Sequence, residues 1–148
     1  MQSGVMKFSG RREATIFIVE DDDIDALTIE RGLRRVHIVN TIVRGHDGQQ
    51  ALDMLKAGDV PEPYIVLLDL NLPKLSGLEL LREIRDDPDL TSAVVFVLTT
   101  SQSDEDLTSA YRDHVAGYIL KQHMATDFIN VLGMIEHYWK VVELPVKQ

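Results

Sequence analysis

Cysteine is absent from this 148-residue chain, which excludes disulfides, thiolate metal sites and cysteine nucleophiles. A basic surplus is missing too: 15 Lys and Arg stand against 24 Asp and Glu, a net charge of -9. Electrostatic binding to nucleic acid or to an anionic membrane needs the opposite balance. No apolar run approaches the roughly 20 residues that span a bilayer. The start, Met1 to Arg12, lacks the apolar centre of a signal peptide. Internal repeats and low-complexity segments are absent as well. What remains is 45% hydrophobic and 26% charged, enough for one buried core and too little length for two. Residues 1–13 are read as a flexible lead and 14–148 as a single domain with a last helix and short tail. A cytoplasmic location is the expectation.

Apolar runs alternate with amphipathic stretches. Ala14 to Val19 is β-rich and ends in acids, the pattern of a strand buried on both faces. A helical stretch follows, in which Ile24, Leu27, Thr28, Arg31 and Leu33 to Val36 suggest a partly apolar face. Val39 to Val43 reads as a second strand. Gly48 to Leu55 reads as a helix with Ala51, Leu52, Met54 and Leu55 inward and Gly58 as its stop. Tyr64 to Leu68 is a third strand ending at Asp69. Leu78 to Ile84 has helical spacing, closed by Pro88. Ala93 to Leu98 is a fourth strand, and a helix is expected from Ser103. Gly117 to Leu120 is a short fifth strand, and Thr126 to Lys140 a last apolar helix. Five strand–helix repeats imply an α/β fold, a five-stranded parallel sheet with helices on both faces.

In such sheets ligands gather outside the carboxyl ends of the strands. Reading those ends gives Glu20 to Asp23 after the first strand, Asp69 after the third, Thr99 and Thr100 after the fourth and Lys121 after the fifth. Each has an ordinary explanation alone: acids at a helix start suit its dipole, an Asp suits a turn, and a Lys is usually solvated. Their joint placement at one edge is far harder to obtain by chance. Clustered carboxylates repel unless a cation neutralises them. Hard oxygen ligands with room for water suit Mg²⁺. A carboxylate can act as a nucleophile toward a phosphoryl group, whose charge then needs a cation and a hydroxyl donor.

Four segments carry a resemblance to the CheY-like receiver domains of bacterial two-component systems, spanning roughly Ala14 to Tyr138. They are Ile18-Val19-Glu20-Asp21-Asp22, Leu67 to Gly77, Val97-Leu98-Thr99-Thr100-Ser101 and Tyr118-Ile119-Leu120-Lys121. The resemblance implies strand order 2-1-3-4-5, with Asp69 as phosphoacceptor. It implies a Mg²⁺ site from Glu20, Asp21, Asp69 and the backbone carbonyl of Asn71, with Asp21 a direct ligand and Glu20 acting through water. Thr99 and Lys121 would contact the phosphoryl oxygens, and Tyr118 would be the aromatic switch. Thr100 and Asn71 fall where the family tunes phosphoryl lifetime. One departure is that Gln122, not Pro, follows Lys121, so the peptide bond is expected trans or strained.

A sensor histidine kinase is the implied phosphoryl donor. The run Leu98 to Ser101, His137-Tyr138-Trp139 and Leu144-Pro145 resemble stand-alone regulators of bacterial phytochromes, which makes a phytochrome kinase the expected partner. No DNA-binding module appears in the sequence, so output is expected from the receiver's own surface. In the last helix Phe128, Val131, Leu132, Ile135 and Trp139 form a core stripe. Ile129, Met134, Tyr138, Val141 and Val142 are left over, more than one face hides, so a homodimer through this helix is expected.

Three other readings compete. A Mg²⁺-dependent phosphohydrolase would resemble its class in a second Asp at position 71, where this chain has Asn. A flavodoxin-like carrier would avoid four acids where an FMN phosphate must sit. A pseudo-receiver would have lost phosphorylation; all the needed residues are present, and the missing Pro after Lys121 keeps this reading open.

Overall fold

The computed structural model describes residues 7–8, 12–35, 38–99 and 114–121. Five parallel strands form one sheet: β1 (Thr15–Val19), β2 (Ile42–Gly45), β3 (Tyr64–Asp69), β4 (Val94–Thr99) and β5 (Gly117–Leu120), in spatial order β2-β1-β3-β4-β5. Three helices are described, α1 (Asp23–Arg35), α2 (Gly48–Ala57) and α3 (Gly77–Asp86). Within the expected lead, Lys7–Phe8 pairs antiparallel with Arg12–Glu13.

Alternation along each strand sends side chains to opposite faces. Ile16, Ile18, Ile65, Leu67, Phe96 and Leu98 pack with Ile29 and Leu33 of α1. Phe17, Val19, Val66, Leu68, Val95 and Val97 pack with Ala51, Leu52 and Leu55 of α2 and Leu80, Leu81 and Ile84 of α3. Both faces of the sheet are therefore covered, which is why β1, β3 and β4 are nearly continuous apolar runs.

The helix ends follow from sequence chemistry. Asp47 caps α2 by accepting from the Gln50 N–H at 2.7 Å, and Gly58 ends it at φ 77°, a left-handed conformation that costs glycine little. Ser76 and Glu79 form a capping box at the start of α3. Asp87, held extended before Pro88, ends that helix.

Two expectations need correction. The face of α1 that meets the sheet is Ala26, Ile29, Gly32 and Leu33, whereas Ile24 is 76% exposed and Leu27 45%. The helix has two weakly apolar stripes, and the one with small residues allows closer approach to the sheet. The second strand is Ile42–Gly45, not Val39–Val43. Buried Asn40 donates from Nδ2 to the Ala14 carbonyl at 2.8 Å, and Arg34 Nη1 donates to the carbonyls of Ile38 and Asn40 at 2.7 and 3.1 Å. These bonds shape residues 38–41 as a lead-in, and strand pairing begins after it. The helices expected from Ser103 and over Thr126 to Lys140, and the Lys121–Gln122 bond, lie outside the described residues.

Candidate acidic site at the carboxyl edge of the sheet

The register brings the strand ends together. Val19 pairs with Leu68 and Gly45, Asp69 with Leu98, and Thr99 with Leu120. Glu20 leaves β1 and Asp69 ends β3, side by side, and Lys121 follows β5 on the same edge. Gly77 lets the start of α3 approach this edge: a Cβ there would stand 2.4 Å from the Asp69 carbonyl oxygen.

The four consecutive acids divide the work. Glu20 is fully buried, and its Oε2 accepts from the Asp22 N–H at 3.2 Å. Asp21 is exposed and offers its carboxylate beside the other two. Asp22 caps α1, its Oδ1 accepting from the N–H groups of Ile24 and Asp25 at 2.9 Å each. Asp23 pairs with Arg44 at 2.8 Å. Helix capping by acids is thus the right account of Asp22 but not of Glu20.

Ligand oxygens of Glu20, Asp21 and Asp69 lie within 4.8 Å of one another. Asp69 is 3% exposed, and its Oδ1 accepts from the Asn71 N–H at 3.0 Å. Lys121 Nζ donates to Asp69 Oδ2 at 2.9 Å and to Asp25 Oδ2 at 3.1 Å, and it also touches Glu20 Oε1. That Glu20 oxygen is buried, with the Lys121 ammonium as its partner.

Burial, reinforced by the neighbouring Asp69 charge, pushes the Glu20 carboxyl up to about 7, against the pull of Lys121 and of the Asp22 amide. Burial works against the Lys121 charge, but its contacts with Glu20, Asp69 and Asp25 outweigh that and hold the ammonium above its ordinary value. One ammonium faces three carboxylates, with Asp21 beside them, so negative charge is in excess at the site. This donor set, all hard oxygens with an open acidic side at Asp21, fits a small divalent cation.

The structure therefore gathers Glu20, Asp21, Asp69 and Lys121, with Asn71 adjoining through its amide. Thr99 ends β4 at the same edge and Tyr118 lies opposite Val97 in β5, but the side chains of both lie outside the described part. Two participants were not anticipated. Asp25 lies in the first turn of α1, and its Oδ2 accepts from Lys121 Nζ. Arg44, near the carboxyl end of β2, donates to the Glu20 carbonyl from Nε at 3.1 Å and from Nη2 at 2.9 Å.

A doubly covered sheet in this order, with an acidic cluster and a lysine at its carboxyl edge, defines a receiver. The response regulator receiver domain family matches residues 16–132, and the chain belongs to it. It is 36% identical to response regulator Rcp1 of Synechocystis over 135 residues, covering 88% of this chain and 92% of Rcp1. The probable methanogenesis regulatory protein FilR2 of Methanothrix harundinacea is 39% identical over 127 residues, 84% of this chain and 82% of that one. The Mn²⁺-bound form of Rcp1 superposes with a TM-score of 0.72 at 35% identity, covering 90% and 99% of the two chains. The phosphorylated cyanobacterial phytochrome response regulator RcpA gives 0.73 at 34% identity, covering 90% and 99%. Among the described residues no helix is long and apolar enough to cross a membrane.

Proposed function

We propose that this receiver accepts a phosphoryl group on Asp69 from the phosphohistidine of a sensor histidine kinase and signals through its own surface. The observation that carries this reading is a buried carboxylate at the tip of the central strand, hydrogen-bonded to an ammonium and set within a three-carboxylate cluster. Glu20, Asp21, Asp69 and the Asn71 carbonyl would hold Mg²⁺, which would supply positive charge against the phosphoryl oxygens. An Asp69 carboxylate oxygen forms the new bond to phosphorus while the bond to the kinase imidazole breaks, its electron pair leaving with the nitrogen. Lys121 then donates to a phosphoryl oxygen, and the Thr99 hydroxyl to another. Their engagement shifts an existing equilibrium of the surface around Tyr118, the switch residue.

The transfer is stoichiometric signalling rather than turnover of a substrate. Likeness to RcpA, a phytochrome response regulator, supports a phytochrome as the kinase. The apolar surplus in the sequence of the last helix supports a homodimer through it, and the setting is read as cytoplasmic. The test is incubation with acetyl phosphate, with and without Mg²⁺, read by intact mass. A Mg²⁺-dependent gain of one phosphoryl group that Asp69→Asn abolishes is expected. Equal labelling of that variant would refute the assignment.

A further inference from the structure

We infer that Asp25 is a positioning residue for Lys121: its carboxylate holds the ammonium at the site when the other two carboxylates are taken. Resting on the phosphoryl reading above, this gives a role to a residue outside the metal-ligating set. Lys121 Nζ donates to Asp69 Oδ2 at 2.9 Å and to Asp25 Oδ2 at 3.1 Å, and it also contacts Glu20 Oε1. A divalent cation at Glu20, Asp21 and Asp69 takes the first and third of these partners. The phosphoryl group on Asp69 then draws the donor that Asp69 had held. Asp25 belongs to neither event, so its bond to Nζ is the one that need not break.

Asp25 is also built to stay put. It sits in the first turn of α1, with its own N–H bound to the Asp22 carboxylate at 2.9 Å. Its side chain is 45% exposed, against 4% for Asp69 and 13% for Lys121, so it flanks the solvent side of the ammonium. A lysine stem has several free rotors, and one fixed contact confines its tip before a phosphoryl oxygen arrives. The plainer alternative is an ion pair that merely ties α1 to the end of β5.

The experiment measures initial rates of acetyl phosphate labelling in Mg²⁺ for the wild type, Asp25→Asn, Asp25→Ala, Lys121→Met and the double variant Asp25→Ala/Lys121→Met. Calorimetric Mg²⁺ affinity and thermal midpoint are followed alongside. Removing the charge at Asp25 should lower the saturating rate about fivefold or more, read at Mg²⁺ concentrations that saturate each variant. Asp25→Glu should recover part of the rate. In the Lys121→Met background, adding Asp25→Ala should change nothing further, because Asp25 acts through that lysine. Wild-type rates in both Asp25 variants, or losses that multiply in the double variant, would overturn the inference alone. A wild type that takes no phosphoryl group would overturn the phosphoryl reading, and this one with it.

Discussion

The body of the sheet and the innermost carboxylates of its carboxyl edge, Glu20 and Asp69, are buried alike and chemically opposite. Phe17, Val66, Leu68 and Val97 show no exposed surface, and neither does Glu20, one residue past the end of β1. In the body, burial removes apolar surface from water and stabilises the fold. At the edge, the same burial sets the Glu20 and Asp69 carboxylates against one ammonium, which the half-exposed Asp25 also meets, and taking those charges out of water costs stability. The apolar body is what holds the charged edge in place. A chain can keep such an edge only if the strands beneath it are strong enough to resist rearrangement.

That contrast can be broken in three places. Phe17→Ala should cost the most, about 3–5 kcal/mol, because it opens a cavity between β1 and α2; urea denaturation measures it. Asp69→Asn, though nearly as buried, should cost far less in the same assay, and a loss comparable to Phe17→Ala would dissolve the contrast.

The second break concerns the cation. With chelator present, Glu20→Gln should be at least as stable as wild type, because it removes one of the crowded buried charges. In wild type, Mg²⁺ at about 100 times its dissociation constant should add about 2.7 kcal/mol, and Glu20→Gln should lose most of that gain. Thermal midpoints with and without Mg²⁺ decide it.

The smallest effect lies outside the acidic cluster, at the α2 cap just past the end of β2. Asp47→Ala should cost about 1 kcal/mol. The Gln50 amide, helped by Lys74, holds the Asp47 carboxyl below its ordinary 3.8. A carboxyl lowered on folding contributes stability that is fully present above its unfolded value and lost as pH falls through the folded one. The cost of Asp47→Ala should therefore be constant at neutral pH and shrink below about pH 4. A cost unchanged by acid would mean that the hydrogen bond alone, without the charge, makes the cap.

Most of the sheet was legible because a strand covered on both faces writes itself as an unbroken β-branched and leucine-rich run. Tyr64 to Asp69 shows this, and so does the convergence of Glu20, Asp69 and Lys121 that strand order produces. The buried face of α1 was not legible, since Ile24 and Leu27 are as apolar as Ile29 and Leu33, and only packing against the sheet chooses between them. The start of β2 was hidden by Val39, a β-branched residue in a segment shaped instead by Asn40 and Arg34. Asp25 escaped notice because its partner Lys121 is far away in sequence. Arg44 escaped because its acceptor is a backbone carbonyl, which leaves no signature in the residue types.

The placement of Asp69 at the end of the middle strand has a mechanical consequence. β3 is laced on one side to β1 and on the other to β4, and a slip of one residue would turn its core side chains to the wrong face. The strand cannot recoil when its tip is loaded. Any displacement started there must be taken up by the turns beyond the strand ends, the parts of the edge that reach solvent, where another molecule can feel it.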